Sequence, residues 1–451
     1  MQTVILGAGI SGLTAADALS RLSGEDYGIY EQQSHSGGYC RTVRQDGFSF
    51  DVVSHVLHFR SPEAEQLVRE LVDGNLVRCQ RSAWIYFRQR YIPYPFQLHL
   101  GYLPLPERFA CLSGYGQAWL RRRRNGTNGT SEALNFQQWI ERYLGDGIAR
   151  QFMTPYNRKL WGRELTQLDV DWIRPFVPNA SPWDVLASAV PRHVNNHGYN
   201  AYFYYPERGG IQALIDSLET RVEPVHLNHR AVQIDLARKT VRFENGHEAG
   251  YERLLSTMPL KKLAQLSLGV PAALQHDAEQ LHSTSLLSLT FGVRTPLPHS
   301  YHWLYFPEPE YPFFRIVFPS NICPNLAPEN GSVISVEISQ PDPNRLEQLE
   351  TTVREQLVKL GFVRQSSDIQ LTARHCFEHA YPVHDHGREG RVARLLQFFQ
   401  SQGVWSFGRF GGWRYCSIDD NIVEALGTVR EATASIPAAH PRYRTAAAGA
   451  P

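Results

Sequence analysis

Paired cysteines are missing from this chain. Its six cysteines (Cys40, Cys79, Cys111, Cys323, Cys376, Cys416) are scattered and include no C-x-x-C. Neither a zinc site nor a disulfide framework is expected, so no metal is assigned, and a reducing, cytoplasmic setting is the default. An excess of one charge is missing too. Basic residues number 45 and acidic ones 44, a net charge of +1, which removes the bulk electrostatic signature of a nucleic-acid binder. The densest basic run, Arg121-Arg122-Arg123-Arg124, reads as the solvated end of a helix before the loop 125–130, with contact to phosphate or an anionic surface as the alternative. No apolar run is long enough to cross a bilayer, so no membrane insertion is expected. With a first strand a few residues after Met1, no signal peptide is expected, and the two Asn-Gly-Thr sequons are then expected to carry little meaning. No internal repeat is present. A length of 451 residues fits about two to four domains.

The informative part of the chain is its start. Val4-Ile5-Leu6 is a short apolar run, followed by Gly7-Ala8-Gly9-Ile10-Ser11-Gly12 as G-x-G-x-x-G and then a helical pattern. Glu31 closes the next apolar strand, Tyr27-Gly28-Ile29-Tyr30. This order is the dinucleotide-binding strand–helix–strand pattern. Gly7 permits the tight turn, Gly9 lets the backbone approach a pyrophosphate, and Gly12 lets the helix pack on the strand. The helix N-terminus turns free N–H groups toward the phosphates. Glu31 stands where a carboxylate accepts hydrogen bonds from a ribose diol. A tight turn without a ligand would explain neither Glu31 nor the second glycine pair, Gly37-Gly38, and the Arg41 that follows it. The stretch Gly37-Gly38-Tyr39-Cys40-Arg41-Thr42 resembles the continuation found in the flavoprotein family of amine oxidases, phytoene desaturases and sugar mutases. That resemblance implies FAD rather than NAD, with the pair and its arginine along the diphosphate and the flavin edge.

Patterning along the rest of the chain predicts an α/β protein. A Rossmann-type FAD-binding domain is interrupted by a helical insertion and by an antiparallel-sheet substrate domain. The expected parts are 1–60, 206–265 and 396–436 for the cofactor domain, 61–205 for a mainly helical region, 266–395 for the sheet, and 437–451 for a tail rich in Ala, Pro and Arg. Residues 136–144 carry helical apolar spacing that Gly145 can stop. Tyr-Phe-Tyr-Tyr at 202–205 is β-prone, 211–218 is helical, and 231–234 and 240–243 are strand-like. Residues 253–259 read as the return strand of the cofactor domain and place Met258 among the cofactor contacts. Alternating β-rich runs and turns over 285–375 predict the antiparallel sheet, and the last cofactor segment begins near Val404.

Several ordered blocks resemble the UDP-galactopyranose mutases. They are Ile92-Pro93-Tyr94-Pro95-Phe96-Gln97, Pro155-Tyr156-Asn157-Arg158-Lys159-Leu160-Trp161, Tyr205-Pro206-Glu207-Arg208-Gly209-Gly210, Pro312-Phe313-Phe314-Arg315, Tyr381-Pro382, and the run Gly408 to Tyr415. The resemblance implies isomerisation of the sugar ring of a nucleotide sugar between pyranose and furanose. Reduced flavin N5 is then the nucleophile at the anomeric carbon, with no net redox change and NAD(P)H as a possible reductant. Arg315 and Arg174 would hold the departing diphosphate, since a guanidinium fork binds phosphate oxygens bidentately. Tyr381 and Tyr415 would donate to phosphate, Tyr156, Asn157 and Asn200 would meet the substrate, and Trp161 would wall the pocket. His55 would lie beside the flavin. Gly408 and Arg409 would lie against the flavin or its diphosphate, and Asp419 and Asp420 at its ribityl and pyrimidine end, although N-cap duty alone would explain one of them.

The chain departs from the family pattern at three places. Ile322 stands where the family has a diphosphate-binding tyrosine, Val53-Ser54 replaces a Gly-Gly before His55, and Ser417-Ile418-Asp419-Asp420 replaces an Asn-Gln-Asp run. These departures keep a second reading open: an amine-oxidase-like FAD oxidoreductase acting on an amine, a porphyrinogen or a polyene. A third reading is a flavoprotein that only binds a partner. The sequence leaves the assembly state undetermined.

Overall fold

A computed structural model describes residues 3–22, 26–124, 134–173, 181–191 and 201–434. Arg174, Asn200 and the 437–451 tail lie outside the described residues.

The cofactor-type domain is organised around Thr3–Leu6, a strand with all four residues buried. It pairs in parallel with Tyr27–Tyr30 on one side and Arg253–Ser256 on the other, and Val404–Ser406 extends the sheet beyond Arg253–Ser256. The sheet thus draws strands from three distant stretches of chain. Buried runs such as Val4-Ile5-Leu6 and Leu254-Leu255 fit this, because a parallel sheet is covered on both faces. On one face the helices Ile10–Ser20 and Ile418–Ala434 pack together through Leu13, Ala16, Ile422 and Ala425. A second sheet, from Ala231–Asp235, Thr240–Phe243, Glu248–Gly250 and Ser267–Leu268, packs against the other face around Tyr30, Leu254 and Phe243.

The substrate-type domain is a seven-stranded sheet in the order Ile369–Pro382, Ser283–Val293, Ser332–Ser339, Arg315–Val317, Trp303–Tyr305, Ala83–Phe87, Arg90–Pro93. Every neighbouring pair is antiparallel except Trp303–Tyr305 with Ala83–Phe87. Two of its strands therefore come from the 61–205 stretch, which the sequence reading makes mainly helical. The physical reason is visible in hindsight. Ala83-Trp84-Ile85-Tyr86-Phe87 alternates buried and half-buried residues along a half-covered face. Its hairpin turns at Arg88 and Gln89, both with positive φ (52° and 59°), so neither Gly nor Asn marks the turn.

The helical part contains Leu105–Arg124, Phe136–Ile148, Thr154–Trp161 and Pro182–Ala187. Asn135 caps the second of these: its side chain accepts from Gln138 N at 2.9 Å, and the Gln138 side chain accepts from Asn135 N at 3.1 Å. Gly145 breaks the helical geometry there (φ 80°, ψ 163°), and a further turn runs on to Ile148. Tyr202–Tyr205 is a strand as read from the sequence, paired antiparallel with Val77–Gln80.

Candidate active site

The cofactor-type domain, the seven-stranded sheet and the helical part line a cavity of about 1830 Å³. Ordinary small-molecule pockets span roughly 300–1,000 Å³, so this one has room for a dinucleotide and a second ligand end to end.

One end of the cavity is the glycine turn. Gly7 has φ 99°, and a Cβ there would lie 2.3 Å from Thr257 Oγ1. A Cβ on Gly12 would lie 1.9 Å from the Gly7 carbonyl oxygen, so the helix Ile10–Ser20 can sit this close to the turn only with glycine. Gly12 accordingly faces the turn and does not line the cavity, whereas Gly7 and Gly9 do. The helix starts at Gly9 with no side-chain cap and no acidic residue in its first turn, which leaves its N–H groups to an anionic ligand. Glu31 also lines the cavity, and its two oxygens accept from Ala8 N and Gln33 N, each at 2.9 Å. Gly37 and Gly38 have φ 107° and 56°, and Gly37 bridges to Gly9. Arg41 contacts the His35 ring.

The last helix adds a residue that the sequence reading missed. Asn421 Oδ1 accepts from Ser11 Oγ at 3.0 Å and from Arg409 N at 2.8 Å, tying the glycine turn to the Gly408–Gly411 turn. Asn421, Ser11, Gly408, Arg409 and Met258 all line the cavity. Asp419 and Asp420 do not. Asp420 Oδ2 accepts from Ser417 N at 2.8 Å while Ser417 Oγ accepts from Asp420 N at 3.3 Å, a capping box, and Asp420 also pairs with Arg60 at 2.5 Å. Asp419 accepts from Arg60 N at 3.2 Å. The cap requires a short acidic side chain in the first helical turn, and this competing duty occupies Asp420. A spacing argument could have found Asn421, which lies one turn beyond Ser417.

The other end is a row of tyrosines interleaved with guanidinium groups. Tyr156 and Tyr305 meet at 5.4 Å between ring centroids, Tyr94 and Tyr305 at 5.3 Å, and Tyr381 and Tyr415 at 5.6 Å. Arg409 stands over Tyr381 and Tyr415, at 5.1 and 5.2 Å. Arg315 lines the same cavity from the strand Arg315–Val317. Its Nε and Nη2 donate to Glu337 Oε2 at 2.9 and 2.5 Å. Glu337 is fully buried, whereas the Arg315 side chain keeps 24% exposure. Burial alone would lower the Arg315 pKa, but the Glu337 carboxylate overrides it and holds the guanidinium charged. The ion pair uses two of five N–H donors and leaves three.

Burial raises the pKa of Tyr156 and Tyr381, so both rings keep their hydroxyl protons as donors. His55 is pushed down to about 4 by burial and by the nearby Arg409, which leaves it neutral. Asn157 lines the cavity and donates from Nδ2 to Met153 O at 2.8 Å. Trp161 does not reach the cavity. It is core, packed edge-on behind Trp172, Tyr381 and Tyr415, and it fixes their rings from the rear. Tyr94 and Tyr305 join the row although the sequence reading gave neither a role. Ile322 is in the wall.

The residues present fit a flavin dinucleotide. Arg41 Nε and Arg409 Nε are buried on or beside this wall and have no hydrogen-bond partner within the protein. Such groups are costly unless a ligand satisfies them. The glycine turn leaves a cradle that a Cβ would fill.

The chain is similar to several known proteins. A solved structure of reduced UDP-galactopyranose mutase is similar over 96% of this chain and 94% of that one, with a TM-score of 0.89 and 26% identity. The coproporphyrinogen III oxidase of Mycobacterium tuberculosis is 25% identical over 313 residues, 65% of this chain and 67% of that protein. The zeta-carotene-forming phytoene desaturase of Myxococcus xanthus is 23% identical over 433 residues, 83% of this chain and 80% of that protein. The family model for flavin-containing amine oxidoreductases matches residues 10–382, and the chain belongs to that family, whose name implies a flavin cofactor.

Proposed function

We propose that this protein is a flavin-dependent mutase that interconverts the pyranose and furanose rings of a nucleotide diphosphate sugar. The observation that carries the reading is the guanidinium–tyrosine row next to the glycine cradle. A diphosphate leaving group carries two negative charges, and Arg315, Arg409 and five tyrosines (Tyr94, Tyr156, Tyr305, Tyr381 and Tyr415) line one continuous cavity with the dinucleotide turn. The similarity to reduced UDP-galactopyranose mutase supports it.

When bound in the cradle, a reduced flavin supplies an electron-rich ring nitrogen for the anomeric carbon, and NAD(P)H is a candidate for delivering the reducing equivalents. The chain's own residues do the rest. Gly7, Gly9, Gly37, Gly38 and the Ile10–Ser20 N-terminus hold the dinucleotide phosphates, and Glu31 meets its ribose. Arg315, fixed in plane by Glu337, presents its remaining donors to the leaving diphosphate, and Tyr381 and Tyr415 add hydroxyl donors. These groups stabilise charge that grows as the anomeric C–O bond breaks, which is where preorganised donors are worth most. Neutral His55 adds no further cation beside the guanidinium groups. Tyr156 and Asn157 position the sugar between the two ends.

The curated likeness to coproporphyrinogen III oxidase favours one other reading, a net oxidation of a carboxylated porphyrinogen held by the same arginines. Paired assays separate the two. Reduced protein given UDP-galactopyranose or UDP-galactofuranose should interconvert them without consuming oxygen. Oxygen uptake with coproporphyrinogen, and no sugar interconversion, would replace the mutase by the oxidase.

A further inference from the structure

We propose that the outer face of the helix Leu105–Arg124, together with the helix Pro182–Ala187, docks on an anionic lipid surface. This inference is independent of the mutase reading.

The outer helix turns apolar residues outward. Leu105 and Phe109 are 73% and 74% exposed, and Leu120 is exposed as well. The helical spacing places Leu105, Phe109 and Leu120 on one face, where Leu112 between them is half-buried and packs toward the core. The opposite side carries the buried Cys111, Tyr115 and Ala118, and the helix packs against Phe136–Ile148. The helix Pro182–Ala187 lies beside it, tied in where Gly101 N donates to Ser188 O at 2.6 Å. There Trp183 is 78% exposed, with Leu186 and Val190 exposed too. Isolated exposed apolar residues are ordinary, whereas five on two adjoining helices, with Val190 just after the second, mark an interaction surface.

Charge identifies the occupant. The outward stripe runs directly into Arg121, Arg123 and Arg124, all exposed at the helix end. Arg123 lies over the Trp119 ring at 5.4 Å, and Arg122 is turned inward over Tyr143 at 5.3 Å. The acidic residue nearest the start of the stripe, Glu107, is engaged by Arg88 at 3.7 Å. Leucine, phenylalanine and tryptophan with an arginine cluster at one end match the chemistry of a membrane interface: apolar side chains enter the headgroup boundary and arginines meet anionic headgroups. No helix among the described residues is long and apolar enough to cross a membrane, so the contact is peripheral.

The test is co-sedimentation of the full chain with vesicles of phosphatidylcholine alone or with one-third phosphatidylglycerol. Partitioning should be about 100-fold stronger on the anionic vesicles, about fivefold for each of three arginines, and should fall with added salt. Changing Arg121, Arg123 and Arg124 to Gln should remove that difference. The pair Phe109→Ser and Trp183→Ser should cut partitioning at least about 10-fold with flavin absorbance unchanged. Should either variant fold poorly, brominated lipid gives a second readout, quenching wild-type fluorescence more than that of Trp183→Phe. Equal, weak binding to both vesicle types overturns the proposal. So does absence of quenching, or a dimer in light scattering that the Phe109 and Trp183 changes dissociate.

Discussion

Arg315 and Glu337 set the electrostatics of the proposed site. A buried carboxylate without its partner is an uncompensated charge, so Arg315→Ala should destabilise the fold by about 3–5 kcal/mol, read by denaturant unfolding. It would therefore confuse stability with binding. Arg315→Lys keeps the ion pair and loses the planar fork. It should weaken UDP binding by about 1.5–3 kcal/mol, the range for hydrogen bonds to charged groups, with little change in melting temperature. Unchanged UDP affinity in a calorimetric titration would remove Arg315 from the diphosphate site. The residue-scale reading of the sequence reached Arg315, Tyr156, Tyr381, Tyr415, Arg409 and His55, all of which line the cavity, because each sits in a short block with recognisable neighbours. It did not reach Glu337 or Tyr305. Both are brought in by strand pairing, Arg315 opposite Glu337 and opposite Tyr305, and pairing register is not written in any local motif.

At the scale of elements, the strand–turn–helix at the start of the chain is the most strongly specified feature. Gly12→Ala would push a methyl group into the Gly7 carbonyl, at 1.9 Å. The purified variant should be colourless, and retained visible flavin absorbance would contradict this account of the cradle. The last helix offers a contrast between adjacent residues. Asp420→Ala removes half of a capping box and should cost about 1 kcal/mol of stability while leaving flavin occupancy intact. Asn421→Ala breaks the link between Ser11 and Arg409 and should lower flavin occupancy instead. Equilibrium dialysis of FAD against both variants decides the matter. Sequence periodicity located this helix but could not say which of its polar residues turns inward. It missed the Ala83–Phe87 and Arg90–Pro93 hairpin because all five residues of Ala83–Phe87 are apolar or aromatic, which hides the alternation of the two faces, and because the turn uses Arg88 and Gln89.

For the whole molecule, the cofactor sheet binds together chain segments some 400 residues apart, Thr3–Leu6 and Val404–Ser406 both flanking or extending Arg253–Ser256. Titration of buried groups should therefore act on the fold as a unit. His55, His58, His299 and His302 are each pushed down to about 4, chiefly by burial. A histidine whose folded pKa lies below its unfolded value stabilises fully above about 6.5 and loses that contribution as pH falls toward 4. Asp51, pushed up to about 7 by burial, acts in the opposite sense: it gains stability as pH falls through 7. Among the described residues eight histidines are pushed down by burial, against three carboxyls pushed up, Asp51, Glu308 and Asp419, so the melting temperature should drop steadily from neutral pH to pH 5, and a flat or rising profile would contradict the burial of these rings. The most direct measurement of the central claim uses a UDP-hexose labelled with heavy oxygen at the bridge between sugar and phosphate. Reduced protein should scramble the label into the non-bridging phosphate positions, because the anomeric C–O bond opens and recloses, and oxidised protein should not. Label that stays in the bridge under reducing conditions, with substrate bound, would contradict the account.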